Sequence, residues 1–225
     1  IIFWRKGPLE EQIKSQQSYA IISAVEISIS YLFAFSLVWL IAPAKNIWLL
    51  LSTVACAVIF VSVSHRLHGE TRASIGLRFD NIRSSIKFHV FFTVICLIIV
   101  GGWGFLAGSL GWNGSALIKG IEYFFWAAFQ QFFFQCFITT RLKDIFQSRS
   151  QVALVNAVLF SSVHAPNIFL MTVTFVSGFF WTYIFYRFPN LLLTSLSHAI
   201  LAVALLRGLP EVVNNGMRIG PMFYH

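Results

Sequence analysis

Several stretches of roughly 18 to 22 residues in this chain hold almost no charge. An α-helix needs about 20 such residues, rising 1.5 Å each, to cross the hydrocarbon core of a bilayer. Seven spans can be drawn: about Ser18–Ala42, Ile47–Ser64, Phe88–Leu110, Leu117–Thr140, Val152–His164, Ile168–Tyr186 and Leu191–Leu206. All six prolines fall outside their interiors, as helix punctuation should. A membrane barrel would show short segments of alternating hydrophobicity, and none are present. The expected fold is therefore all-α, a polytopic integral membrane protein of about seven transmembrane helices. Residues 1–16 read as an interfacial arm, 17–207 as the helical bundle and 208–225 as a polar tail. The first residue is Ile rather than Met, so a short preceding stretch is expected, and no cleavable signal pattern is visible.

Composition supports this class, with 57% apolar and only 11% charged residues. The formal net charge of +8 need not mean nucleic acid, because the basic residues sit in the connections between apolar runs. With the N-terminus in the cytoplasm, twelve Lys/Arg face that side and four the other, as the positive-inside rule requires. Trp39, Trp48 and Trp112 then fall at the opposite interface, where an aromatic belt is expected. The lipid bilayer is the first expected partner, a bacterial inner membrane the expected location, and no nucleic acid is implied.

Cys56, Cys96 and Cys136 lie in apolar runs without CxxC spacing and read as buried, inert thiols. His65, His68 and Glu70 invite a metal reading, but no third ligand at a recognised spacing follows, so 65–87 reads as a solvated basic loop. No metal and no cofactor are expected. Within that loop Ile75–Ile86 reads as an interfacial amphipathic segment. The Gly101–Gly102 pair would permit close helix packing or a kink.

Polar side chains at membrane depth are expensive and mark candidate sites. The fourth span holds Gln130, Gln131 and Gln135, the last two one turn apart on one face. The fifth holds Phe160 and His164, four apart, and the seventh holds His198 and Ala202, again four apart. Glu26, in the first span, is flanked on one face by Ser23 and Ser30. It reads either as functional or as neutral and hydrogen-bonded to neighbouring helices. Glutamines and histidines also serve as simple glue between helices, at about 0.6 kcal/mol each and at most roughly 2. Three spans each offering a polar group at an i, i+4 face point instead to a shared site.

This spacing resembles the CAAX-protease and bacteriocin-processing (CPBP, or Abi) intramembrane proteases. Their pattern is Glu-Glu-x-x-x-Arg on one span, Phe-x-x-x-His on the next and His-x-x-x-Asn/Asp later. Here the first appears as Gln130-Gln131-Phe-Phe-Phe-Gln135, the second intact as Phe160-Ser-Ser-Val-His164, and the third as His198-Ala-Ile-Leu-Ala202. The Ile-Gly-Leu-Arg segment before the third span is also similar, and the likeness covers roughly residues 70–205.

The resemblance implies a bundle of that family's type and a peptide-cutting site at Gln130, Gln131, His164 and His198, supported by Gln135, Phe160 and Ala202. Four of those positions depart from the pattern. A Gln amide cannot accept the proton that the family's first Glu is thought to take from the attacking water. Positioned general-base catalysis contributes about 10²–10⁴-fold, so the site is expected to be degenerate. Loss of both Glu and Arg is coherent, because losing the acid alone would strand a buried cation, whereas three amides can bond one another.

Such a chain is expected to bind a hydrophobic peptide, a lipidated segment or a partner membrane protein. The alternatives are an active endopeptidase with a modified site and a transporter or channel subunit. Replacement groups are distant: Glu122 lies about 12 Å along the helix from Gln130, and Cys136 points about 120° away from it. No inverted repeat encourages the transporter reading.

Overall fold

Asparagines set the starts of three helices. The side chain of Asn46 accepts from the backbone N–H groups of Trp48 and Leu49, that of Asn167 from Leu170, and that of Asn190 from Leu193. Each satisfies amides that would otherwise lack a partner at a helix start. The computed structural model describes residues 8–111 and 115–225. In it α1 (Pro8–Ser36) continues through a π-turn (Leu37–Ile41) and a 3₁₀ turn (Ala42–Ala44) that holds Pro43. Then come α2 (Ile47–Leu67), α3 (Ile82–Leu106) and α4 (Ser115–Gln131). A π-helical segment (Phe132–Ile138) leads from α4 into α5 (Thr139–Ile145). The chain closes with α6 (Arg149–Ser162), α7 (Ile168–Arg187), α8 (Leu191–Gly208), the single turn α9 (Glu211–Asn214) and two 3₁₀ turns. No strand occurs among the described residues.

Among the described residues five helices are long and apolar enough to cross a membrane: Gln16–Ala44, Ile47–Leu67, Ile82–Leu106, Ile168–Arg187 and Leu191–Gly208. The protein is therefore an all-helical integral membrane protein. Of the two remaining expected spans, one follows α4, the π segment and α5 without interruption, and the other, α6, has only 14 residues.

Residues 1–7 of the expected arm, and Trp112, lie outside the described residues. From Pro8 the backbone is helical and continuous with α1. In the expected interfacial segment at 75–86, Leu77, Phe79 and Ile86 are exposed, and the backbone is turns as far as 81 with α3 beginning at 82. Residues 68–81 form turns, and Ile75 is buried against Cys136 and Phe185. Gly76, at φ +86, approaches Phe185 so closely that a Cβ there would lie 2.6 Å from the ring. Its carbonyl accepts from Leu191 N–H, tying this loop to the start of α8 (2.9 Å). Cys56 is exposed and Cys96 only partly covered, so of the three thiols only Cys136 is buried.

Helix α6 packs on α7, α4 and α3 on α8, and α1 on α5. The α3–α8 contact runs through glycine, but not the expected pair. A Cβ on Gly101 or Gly102 would meet nothing within 4 Å, whereas one on Gly104 would lie 2.1 Å from the Gly208 carbonyl oxygen. The π segment runs through the centre of the bundle, with every residue from Phe133 to Ile138 buried. Phe134 meets Phe160 edge-on (4.9 Å between ring centres), and Phe160 in turn meets Trp181 (6.2 Å).

Candidate functional site

A cavity of about 490 Å³ opens between the turns that follow α1 and helices α4, α7 and α8, with residues 217–222 on one side. Gln130, His164, His198 and Ala202 all line it. The glutamine reaches it from the last turn of α4, His164 from the turn after α6, and His198 from the middle of α8. Phe160 is buried between the two imidazoles, edge-on to both, with ring centres 5.1 Å from His164 and 5.7 Å from His198. Trp181 backs His198 at 4.9 Å. One aromatic wall thus fixes both imidazoles.

Hydrogen bonds set the tautomers. His164 Nδ1 lies 2.8 Å from the Phe160 carbonyl oxygen, which can only accept, so Nδ1 carries the proton and the neutral ring keeps a lone pair on Nε2. Gln131 Nε2, which can only donate, lies 3.0 Å from His198 Nδ1, so the neutral His198 ring carries its proton on Nε2. The two rings therefore offer opposite faces, an acceptor on His164 and a donor on His198. The side-chain oxygens of Gln130 and Gln131 are buried and have no partner.

Gln135 is drawn elsewhere. Its amide donates to Thr182 Oγ1 (3.0 Å) and its oxygen accepts from Thr139 Oγ1 (3.1 Å). Asn156 joins this knot through Thr182 and Thr139. The three glutamines thus work in different surroundings, and the expectation that they bond one another is corrected. Its partners lie on α7 and at the start of α5, so Gln135 bonds there rather than to Gln131. Cys136 packs with Ile75 and Phe185, away from the cavity. Glu122, expected to be remote, lines the same cavity as the histidines.

Residues 112–204, somewhat less than half of the chain, match the family model described as Type II CAAX prenyl endopeptidase Rce1-like. Over that stretch the chain is similar to the Rce1-like family. The matched stretch carries all three motifs and every side chain that forms the amide–imidazole face of the cavity. No curated protein and no solved structure matches it.

A second polar centre escaped the sequence reading. Arg141 is wholly buried and donates to Glu26 Oε2 through Nε (2.6 Å), to Glu70 Oε1 through Nη1 (2.8 Å) and to Ser64 Oγ through Nη2 (2.8 Å). Ser64 donates on to Glu26 Oε1 (2.6 Å), His68 Nε2 pairs with Glu26 (3.2 Å), and His65 Nδ1 pairs with Glu70. The stretch after His65 is thus not simply a solvated loop, because its first residues enclose an ion cluster. Glu26 is bonded to neighbouring elements, but through an ion pair with Arg141 rather than as a neutral carboxyl. The missed signal was arithmetic: two acids near the ends of apolar runs needed a cation, and Arg141 closes the fourth run. Among the described residues no group of three or more His, Cys, Asp or Glu is placed to hold a metal ion.

Proposed function

We propose that this chain is a catalytically silent Rce1-like protein that uses its cavity to bind a hydrophobic peptide, a lipidated segment or a partner membrane protein. The observation that carries this reading is the Gln131–His198 hydrogen bond beside an unpartnered Gln130 oxygen. Where the family pattern has carboxylates, the cavity has amides, and an amide takes no proton from water. What remains is a recognition surface. His198 can donate to a carbonyl and His164 can accept from an N–H, the two needs of one peptide group, within a largely apolar enclosure. On the same reading the chain lies in a bacterial inner membrane with its N-terminus cytoplasmic, which the distribution of Lys and Arg supports.

The test uses the purified chain in mild detergent with a fluorescent farnesylated peptide. The wild-type chain should bind it and leave it intact. Gln130→Glu combined with Gln131→Glu should introduce cleavage, and adding His164→Ala should abolish that cleavage. Wild-type protein that cuts the peptide, and stops when His164 becomes Ala, overturns the reading.

One observation favours a rival, an active endopeptidase: Glu122 is a carboxylate on the wall of the same cavity. That rival requires wild-type cleavage that disappears in Glu122→Gln.

A further inference from the structure

The cavity has a wall made by a segment that no motif covers. After α8 the chain turns back through α9 and crosses the open side of the bundle. It is pinned at both edges. Gly220 N–H donates to the carbonyl of Ala165, the residue after His164 (2.8 Å), and the Asn167 amide donates to the carbonyls of Asn214 and Arg218 (both 3.0 Å). On the far side Gly220 lies against the π-turn that ends α1, where a Cβ would stand 2.9 Å from Val38 Cγ1 and 3.1 Å from the Val38 carbonyl oxygen. Between these pins Met217, Ile219 and Met222 line the cavity.

The backbone here is sharply shaped rather than merely draped. Asn215, Gly216, Met217 and Gly220 all have positive φ, at 49°, 60°, 59° and 56°. Asparagine and glycine adopt that region readily, but methionine does so only against steric resistance. Met217 is therefore held in an unfavourable conformation, and its side chain faces the site. Strained residues concentrate where surrounding structure imposes a geometry that function uses. Methionine is also the side chain best able to reshape an apolar wall.

We propose that residues 217–222 are the specificity-determining wall of the cavity, with Met217 and Met222 setting the length of apolar chain that fits against the His164–His198 face. This rests on the reading of the cavity as a binding site. It goes further by assigning selectivity to a segment outside the family match, and by tying that segment to the turn that carries His164. An occupant of changed length would press on Met217 and Met222, and through Gly220 on the carbonyl next to His164.

The full chain in nanodiscs is tested with two fluorescent peptides that differ only in carrying a farnesyl or a geranylgeranyl chain. Met217→Ala combined with Met222→Ala should shift the ratio of the two Kd values at least tenfold toward the longer chain. A second arm needs no ligand. Ser177→Cys, at a lining position, is treated with N-ethylmaleimide and its modification is followed by mass spectrometry. The rate should rise about tenfold when Gly220→Val dislodges the wall, and it should rise also with the paired alanines, which remove bulk without disturbing Gly220. If both peptides bind and their ratio does not move, the wall proposal is overturned while binding in the cavity stands. If neither peptide binds, the prenyl-peptide form of the proposed function fails and the labelling rates decide the wall alone. Unchanged rates in both variants overturn it.

Discussion

Replacing Arg141 by Met is the most informative perturbation of this fold. The guanidinium is completely enclosed and makes four hydrogen bonds: 2.6 Å to Glu26, 2.8 and 3.3 Å to Glu70, and 2.8 Å to Ser64. It also lies over the Phe137 ring, 4.9 Å from its centre. Methionine would fill much of the volume but leave two carboxylates facing each other across a mostly dry gap. Their side chains are only 15% and 14% exposed, so water can do little to compensate. Breaking a buried ion set by removing one partner costs about 3–5 kcal/mol. At roughly 2–4 °C per kcal/mol for a chain of this size, the thermal midpoint should fall by about 6–20 °C. Tryptophan fluorescence during heating in mild detergent measures it. A second variant separates charge from packing: Arg141→Met with Glu26→Gln and Glu70→Gln leaves no unpaired charge. Neutral replacement of a buried ion set is often nearly neutral or stabilising, so most of the lost midpoint should return. A single variant that shifts by less than about 2 °C, or a triple variant no better than the single one, refutes the argument.

Two further outcomes follow from the same structure. Burial pushes the Glu70 carboxyl up, but hydrogen bonds from His65 and Arg141 outweigh it and hold the group below the ordinary value of 4.5. A carboxyl lowered on folding contributes stability that is complete above the ordinary value and lost as pH falls from there through the lowered one. The wild-type midpoint should therefore drop on acidification below about pH 4.5, and Glu70→Gln should flatten that part of the curve; identical slopes in the two proteins contradict it. Gly104→Ala would place a methyl 2.1 Å from the Gly208 carbonyl oxygen, forcing α3 from α8 at a cost of about 1–3 kcal/mol or more. Gly102→Ala meets nothing within 4 Å and should be neutral or stabilise by about 0.5–1 kcal/mol; a reversed order of the two midpoints contradicts this crossing.

The helical membrane class and the grouping of Gln130, His164 and His198 were legible because both rest on local pattern. Uncharged runs give length, and four-residue spacings give faces. What the sequence hid depends on distant pairing or backbone irregularity. The π segment at 132–138 looks like any aromatic run, and nothing local announces that Gln135 within it bonds Thr182. Arg141 looks like a cytoplasmic loop cation until the fold brings Glu26 and Glu70 to it. Gly101–Gly102 is conspicuous and packs against nothing, whereas single Gly104 makes the contact, because which helix face meets α8 is set by the whole bundle. The Met217–Met222 wall follows a positive-φ path that spacing cannot reveal.

Charge within the bundle is divided between two places with different consequences. The amide–imidazole face around Gln131 and His198 is built of neutral groups, whereas the ions of the buried core stand in the Arg141 cluster, farther along the same continuous run of helix. A buried carboxylate in the cavity would require a buried cation nearby, and any apolar occupant would have to desolvate both. Amides relieve that requirement, since Gln131 satisfies His198 without introducing charge. The Arg141 cluster meanwhile joins α1, α2 and α5 at the end of the π segment, so the amide–imidazole face itself carries no ion. On the proposed function this division has a direct consequence. Glutamates introduced at 130 and 131 should bring chemistry at the expense of affinity for the apolar chain. A cutting variant that binds the farnesylated peptide as tightly as the wild-type chain would show that neutrality of the amide–imidazole face is not what retains the occupant.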